Sequence, residues 1–141
     1  MKREIKFRAW DKDSKKMIKG DEPYGKYNEE LGVSLDGEVL TLDFETYYPS
    51  IGFSNDVEIM QFTGLKDKNE VQIYQGDIIA VNYGKEDDIN PADVNTNIEY
   101  YEVIFENGMY GAEGGESLYH YINNYEVEVI GNIYQNPELI K

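Results

Sequence analysis

Few side chains in this sequence could carry out catalysis. The chain of 141 residues contains no cysteine, which excludes a thiol nucleophile, a disulfide scaffold, a thiolate zinc site and an iron–sulfur cluster. Its one histidine, His120, lies between two tyrosines, and a single imidazole also excludes the common two- and three-histidine metal sites. A catalytic triad needs a serine or cysteine, a histidine and an orienting acid. The sequence marks no such set, so we interpret His120 as a packed or surface residue.

Acidic side chains are the second group that could do chemistry. Glu86, Asp87 and Asp88, together with Asp93, could offer oxygen ligands to Mg²⁺ or Ca²⁺. Such clusters arise by chance in a strongly acidic chain. We interpret them as part of a polar loop at residues 84–97, which we expect to be mobile. The sequence therefore predicts no metal site.

A glycine-rich segment, Gly111–Gly115, has neither the lysine nor the spacing of a phosphate-binding loop. Glu113 and Glu116 would moreover repel a phosphate group. We therefore predict no catalytic residue, no cofactor and no metal, and hence a protein that is not an enzyme.

The most distinctive chemical feature is an uneven distribution of charge. The first 20 residues carry a net charge of +5, whereas the other 121 carry −20, which gives −15 for the chain. Residues 5–10 alternate between apolar side chains and larger polar or aromatic ones, so a strand would present Lys6, Arg8 and Trp10 outward. We define a candidate partner-binding surface, the basic strip, formed by Arg3, Lys6, Arg8, Trp10 and Lys12.

The basic strip allows two interpretations. Cations beside an aromatic ring bind single-stranded nucleic acid through phosphate contacts and base stacking. The same cations could instead pair with the acidic remainder of the chain, within one subunit or across an interface between subunits. We favour the second interpretation, because acidic groups strongly outnumber basic ones.

Strands must position these residues, because the composition disfavours helices. Ile, Val and Thr supply 27 residues and Tyr another 13, whereas Ala and Leu supply only 11. β-Branched and aromatic side chains suit a pleated, half-buried sheet. We predict an all-β single domain over residues 1–141, with about seven short strands in a partly open, SH3-like or pseudo-barrel. At most one or two short helices are expected.

Two sequence signals predict hairpins. Asp36-Gly37 and Asn107-Gly108 each suit a two-residue turn of type I′ between alternating runs. The first turn would pair Val33 with Leu40. Residues on the shared alternating face are predicted to form one core: Ile5, Phe7, Leu40, Leu42, Ile79, Val81, Val103, Phe105, Val127 and Val129.

Three segments of the sequence resemble the signature blocks of the YopX family. They are REIKFRAWD (3–11) with KKMI (15–18), MQFTGLKDKN (60–69) with IYQGDI (73–78), and VIGNIYQNPEL (129–139). Together they cover roughly a third of the chain. The resemblance implies an all-β protein of bacteriophages and prophages with no established biochemical activity, and it assigns no catalytic residue.

One position departs from the family's pattern. The family usually has Asn-Gly in the middle block, whereas here Asn69 is followed by Glu70. Glutamate disfavours the left-handed backbone region that such a turn uses. We therefore expect the turn to shift onto Asn69 or to change type.

These features predict a non-enzymatic interaction module that acts through contacts with a phage or host protein in the host bacterial cytoplasm. The alternatives are a nucleic-acid-associated accessory factor or an acidic mimic of DNA, and nucleic acid is the less favoured partner. We also expect a homo-oligomer, in which one subunit's basic strand lies against a neighbour's acidic face. No apolar run exceeds four residues, so no membrane span is predicted, and no signal peptide is expected.

Overall fold

The structure is a computed structural model that describes residues 4–19, 30–43, 50–53, 57–84 and 97–140. Within these ranges the strands are β1 (Phe7–Asp11), β2 (Lys16–Lys19), β3 (Glu30–Val33), β4 (Val39–Asp43), β5 (Ser50–Phe53), β6 (Val57–Lys66), β7 (Gln72–Tyr74), β8 (Asp77–Asn82), β9 (Ile98–Glu102), β10 (Ile104–Glu106), β11 (Met109–Gly111) and β12 (Glu126–Asn132). The α-helix α1 spans Leu118–Asn124, and a 3₁₀ helix spans Pro137–Ile140. The predicted all-β class with at most two short helices is confirmed.

The described residues contain twelve strands, more than the seven or so expected from the sequence. Three of them, β7, β10 and β11, have only three residues each. Alternation of apolar and polar side chains needs about four residues or more to be recognised, so strands this short leave no periodic signal.

The chain divides into two compact units. The N-terminal unit comprises residues 5–61, and the C-terminal unit comprises residues 62–141 with residues 1–4. That residues 1–141 form a single domain stays a prediction. The expected mobile loop at 84–97 falls on residues 85–96, which lie outside the described residues, so its mobility also stays a prediction.

In the N-terminal unit, β1 is the central strand of an antiparallel sheet, between β2 and the first half of β6. Directly paired residues lie on the same face of a sheet. Ala9, Ile18 and Ile59 therefore share one face. The neighbouring Trp10 belongs to the opposite face, and both Ala9 and Trp10 are buried. Both faces of β1 are thus covered at this point.

The hairpin between β3 and β4 has a different turn from the one predicted. Val33 pairs with Val39, not with Leu40. The amide of Gly37 donates to the Ser34 carbonyl at 3.0 Å, and the Ser34 amide donates to the Glu38 carbonyl at 2.9 Å. This is a three-residue loop with a left-handed glycine, φ 83°, at its last position. The extra loop residue shifts the register by one and corrects the predicted pairing.

The second predicted turn is confirmed. Asn107 and Gly108 both have positive φ, 52° and 79°, as a type I′ turn requires. Phe105 pairs with Tyr110 across this hairpin, and their ring centroids lie 5.0 Å apart in an edge-on arrangement. This dipeptide is the most favourable sequence for such a turn, since Asn tolerates and Gly readily adopts left-handed backbone.

The core of the C-terminal unit lies between the sheet β12-β8-β9 and α1. Its buried members are Ile73, Ile79, Val81, Val103, Ala112, Leu118, Tyr121 and Val127. The predicted core residues Ile79, Val81, Val103 and Val127 are among them, and Val129 packs against this cluster.

Three predicted core residues are exposed instead: Ile5, Phe7 and Phe105. The strand pattern at Phe105 is interrupted, because Val103 lies between β9 and β10 rather than within a strand. There its amide donates to the Asp77 carbonyl and its carbonyl accepts from the Gly76 amide. Alternation does not carry across this break, so Phe105 is 56% exposed although Val103 is fully buried. Leu40 is partly buried, and only the backbone of Leu42 is described.

The turn after β6 is organised by a buried carboxylate. Asp67, which is 5% exposed, accepts hydrogen bonds from the amides of Asn69 at 2.8 Å, Val71 at 3.0 Å and Val129 at 2.9 Å. Glu70 keeps the left-handed conformation, φ 65°, so the expected shift of the turn onto Asn69 is wrong. Because the carboxylate fixes the amides on both sides of Glu70, the turn holds its shape without glycine.

We predict that Leu118→Ala lowers the free energy of unfolding by about 2–5 kcal/mol, because it leaves a cavity in the C-terminal core. Phe105→Ala should cost about 1 kcal/mol, since it removes an exposed aromatic pair rather than core packing. Urea unfolding of the two variants measures the difference. Equal losses would contradict the placement of Phe105 outside the core.

We also predict that Asp67→Ala lowers the free energy of unfolding by about 2–4 kcal/mol, because three amide donors lose their acceptor in a buried position. Asp13→Ala, at an exposed position in the turn after β1, should change it by about 0.5 kcal/mol or less and serves as the control. A cost for Asp67→Ala as small as that of the control would show that water replaces the carboxylate.

Candidate functional site

A cleft of about 330 Å³ lies in the N-terminal unit. It is lined by Ile5, Lys6, Phe7, Arg8, Ala9, Ile18, Gly32, Val33, Val39 and Ile59. Pockets that hold small ligands or anchor side chains span roughly 300–1,000 Å³ and have mostly apolar walls. This cleft therefore has the size and lining of a small binding site.

Paired residues from two sheets form the walls of the cleft. Ala9, Ile18 and Ile59 face it from one row of the sheet formed by β2, β1 and β6. The other wall comes from the β3–β4 hairpin, where Val33 and Val39 are directly paired. Short branched side chains in these rows leave room between the sheets, which larger residues would fill.

The mouth of the cleft exposes apolar surface. Ile5 and Phe7, which the sequence predicted in the core, are solvent-exposed and line the cleft instead. Ile5 precedes β1, so the alternation of the strand does not determine its orientation. Exposed apolar side chains grouped at a concave site are typical of surfaces that bind a partner.

Two cations of the basic strip also line the cleft, Lys6 and Arg8. The Nη2 atom of Arg8 lies 3.6 Å from the sulfur of Met60, which is its direct partner across the sheet. The guanidinium group is thus on the opposite face from Ala9 and Ile59. Lys6, which is half-buried, is the other cation in the lining.

The structure does not assemble the basic strip as one surface. Trp10 is only 7% exposed, so its predicted outward orientation is wrong. The alternation rule assumes one solvated face, whereas β1 is covered on both. Lys12 is exposed, but its Nζ atom lies 2.8 Å from Glu58 Oε1, an acid of the same unit. Arg3 lies outside the described residues.

Sequence reasoning missed Val33 and Val39 as site residues. Their hairpin signal was visible, but nothing in the sequence shows that this hairpin faces β1. The sequence did single out two lining residues, Ile5 and Phe7, but alternation assigned both of them to the core.

A second cluster, in the C-terminal unit, consists of tyrosines. The hydroxyls of Tyr83 and Tyr101 lie 2.9 Å apart, and Tyr101 donates to the carboxylate of Glu99. The Tyr101 ring stacks on Tyr121 with centroids 5.5 Å apart, and Tyr83 meets Tyr125 edge-on at 4.6 Å. These rings pack against one another, so we interpret the cluster as a packing arrangement rather than as a binding site.

Burial raises the pKa of the Tyr101 phenol above its usual range, and its hydrogen bond to Glu99 raises the pKa further. Burial likewise raises the pKa of Tyr83. Both phenols therefore stay protonated near neutral pH and act as hydrogen-bond donors. Their arrangement offers no activated nucleophile or base.

His120 lies on α1, half-buried, with its ring centroid 6.1 Å from that of Tyr125. Asn124 Nδ2 lies 3.4 Å from its Nδ1 atom.

Among the residues that the structure describes, no group of three or more His, Cys, Asp or Glu converges on a metal-binding position. No helix in the described ranges is both long and apolar enough to cross a membrane.

The acidic character of the C-terminal unit affects one carboxyl group directly. Burial raises the pKa of Glu102, and the charge of Glu113 raises it further. A raised pKa in the folded state means that the ionised carboxylate destabilises the fold at neutral pH. This penalty disappears as the pH falls below the ordinary glutamate value of 4.5.

We therefore expect Glu102→Gln to raise the free energy of unfolding at pH 7, because it removes a charge that the fold disfavours. The gain should shrink as the pH falls and vanish below pH 4.5. Urea unfolding across this pH range provides the measurement. A gain that is the same at all pH values would show that the charge is not its cause.

Comparison with known proteins finds one family model and several solved structures that match this chain. A family model described as YopX protein matches residues 6–141. The crystal structure of protein EF1440 from Enterococcus faecalis has 25% sequence identity and a TM-score of 0.61, and the match covers 99% of this chain and 100% of that one. YopX from Bacillus subtilis has 19% identity and a TM-score of 0.61, with 96% and 98% covered. The latter likeness concerns the fold alone.

A search of curated proteins finds no match. The family is described by name alone, and the names of the two similar proteins state no activity. The resemblance carried by the three sequence segments is nevertheless confirmed over nearly the whole chain. By the match of its sequence to the family model, this chain belongs to the YopX family.

Proposed function

We propose that this protein is a non-enzymatic interaction module that acts through protein–protein contacts in a bacterial cytoplasm. Its cleft in the N-terminal unit receives an apolar side chain from a segment of the partner protein. The observation that carries this proposal is the cleft itself, a concave apolar site with exposed Ile5 and Phe7 at its mouth.

The chemistry of the cleft indicates the kind of partner. Val33, Val39 and Ile59 offer an apolar surface, which favours an aliphatic or aromatic anchor. Lys6 adds positive charge beside it, so carboxylates next to the anchor would be favoured. Charge of this kind contributes orientation and association rate more than affinity.

One anchor does not account for a stable complex. Full burial of one aliphatic or aromatic side chain contributes about 1.5–3 kcal/mol, whereas association itself costs about 4–15 kcal/mol in lost freedom. The partner must therefore contact additional surface around the cleft. The exposed side chains Ile5 and Phe7 are the first candidates.

Nucleic acid is less well supported as the partner. Base stacking needs an accessible aromatic ring, and Trp10 is buried. Lys12 is paired with Glu58. The net charge of −15 for the chain also disfavours approach of a phosphate backbone.

We expect affinity capture from phage-infected bacteria to retain a partner protein on the wild-type chain and to lose it on Phe7→Glu. The substitution places a negative charge at the mouth of the cleft, on a residue that is 36% exposed, and a cooperative urea unfolding transition of the variant shows that it is folded. Retention should fall by about tenfold or more, as is typical when an interface anchor site is disrupted. Quantitative mass spectrometry of the retained proteins, after nuclease treatment, gives the measurement.

The matched control is Phe105→Glu, the same change at another exposed phenylalanine, in the C-terminal unit. It should retain the partner as the wild type does. If all three proteins retain the same partners, the cleft is not the binding site. If nuclease removes the retained proteins, nucleic acid is the primary partner and the proposal fails.

A further inference from the structure

The tip of the β3–β4 hairpin carries an unusual side chain. Leu35 is 107% exposed, so its side chain is fully accessible to solvent among the residues that the structure describes. Leucine is unfavourable in such a position, because its full apolar surface contacts water. Small polar residues are the common choice at turns. The leucine therefore offers an apolar side chain that a partner could bury.

The turn holds this leucine in a defined position. Ser34 and Gly37 are joined by a backbone hydrogen bond of 3.0 Å, and the Ser34 side chain accepts from the Glu38 amide at 3.0 Å. The turn is thus closed on both sides of Leu35. A fixed anchor loses little conformational freedom when it is buried by a partner.

The residues beside Leu35 are acidic. Asp36 follows it directly and Glu38 closes the loop, and both are exposed. The tip is therefore an apolar side chain flanked by carboxylates. This combination matches the chemistry that the cleft favours, an apolar interior with Lys6 in its lining.

We propose that the cleft's partner is a second copy of this chain, whose Leu35 enters it. This inference rests on the proposed function, since it uses the same cleft. Space is sufficient: a cavity of roughly 150 Å³ holds benzene, and this cleft measures about 330 Å³. The four side-chain carbons of leucine therefore fit without rearrangement of the walls.

The position of the tip explains how such a contact closes. Val33 and Val39, which line the cleft, are the last residue of β3 and the first of β4, on either side of the turn at 34–38 that carries Leu35. Tip and cleft thus belong to one surface patch. A two-fold axis through this patch places each tip in the other copy's cleft, which gives an isologous dimer with two equivalent contacts.

Light scattering at about 50 μM protein tests this dimer, because weak specific dimers have dissociation constants in the micromolar range. The wild type should have twice the monomer mass of 16.3 kDa. Leu35→Ser should have the monomer mass, and its folding should be unaffected because the side chain is fully exposed. Phe105→Ser, the removal of another exposed apolar side chain, is the control and should remain dimeric.

A mixing experiment separates this geometry from other modes of association. Leu35→Ser retains the cleft, and Phe7→Glu retains the tip, so each variant alone forms neither contact. Mixed in equal amounts, they can form one of the two anchor contacts together with the surface around it, so a heterodimer weaker than the wild-type dimer should appear at protein concentrations above those that the wild type needs. A dimer of Leu35→Ser alone, or no heterodimer in the mixture at these higher concentrations, overturns the proposal.

The outcome is distinguishable from failure of the proposed function. If the wild type is a monomer while capture still depends on Phe7, the second copy is excluded and another protein occupies the cleft. If the wild type is a dimer that depends on Leu35, the cleft binds protein regardless of what capture retains. Capture on Leu35→Ser should then be at least as strong as on the wild type, because its cleft is vacant.

Discussion

The antiparallel pairing of β1 with the first half of β6 is the constraint on which the candidate site depends. It places Ala9 opposite Ile59, while β2 adds Ile18 to the same row. A slip of one residue would turn every side chain of β1 to the other face of the sheet. The apolar wall of the cleft would then be replaced by Arg8 and Trp10. Ala9 and Trp10 are both buried, on opposite faces of the sheet. A slip would move each of them to the other face, which disfavours it because both side chains would lose their packing.

The C-terminal unit depends on a different kind of interaction. Its fold combines an apolar core between a sheet and α1 with two buried carboxylates, Asp67 and Asp77. Each accepts backbone amides of a turn: Asp67 those of Asn69 and Val71, and Asp77 that of Tyr74 at 2.7 Å. Buried acids are stable only when donors surround them. In this acidic chain these two carboxylates thus have a structural role.

Sequence patterns predicted local turns and strands better than the register and the long-range contacts of these elements. Asn107-Gly108 gave the correct turn because the conformational preference of these two residues is local. Asp36-Gly37 gave a hairpin but the wrong register, since a two-residue and a three-residue loop both accept glycine at this position. The prediction at Glu70 failed for another reason. The carboxylate that stabilises its left-handed backbone also binds Val129, which is distant in sequence. No local rule anticipates such a contact.

The sequence by itself determined the all-β class, the family and the absence of cysteine chemistry, because composition, short motifs and turn residues act locally. Tertiary structure alone decided which apolar residues are buried. Phe7 and Phe105 have the same alternating pattern as Val81 and Val127, yet the first two are exposed and the last two form the core. Alternation assigns residues to faces, but burial depends on what packs against each face. The same reason applies to Trp10, which is buried although alternation predicted it outward, and to Leu35, which is fully exposed at the tip of a hairpin.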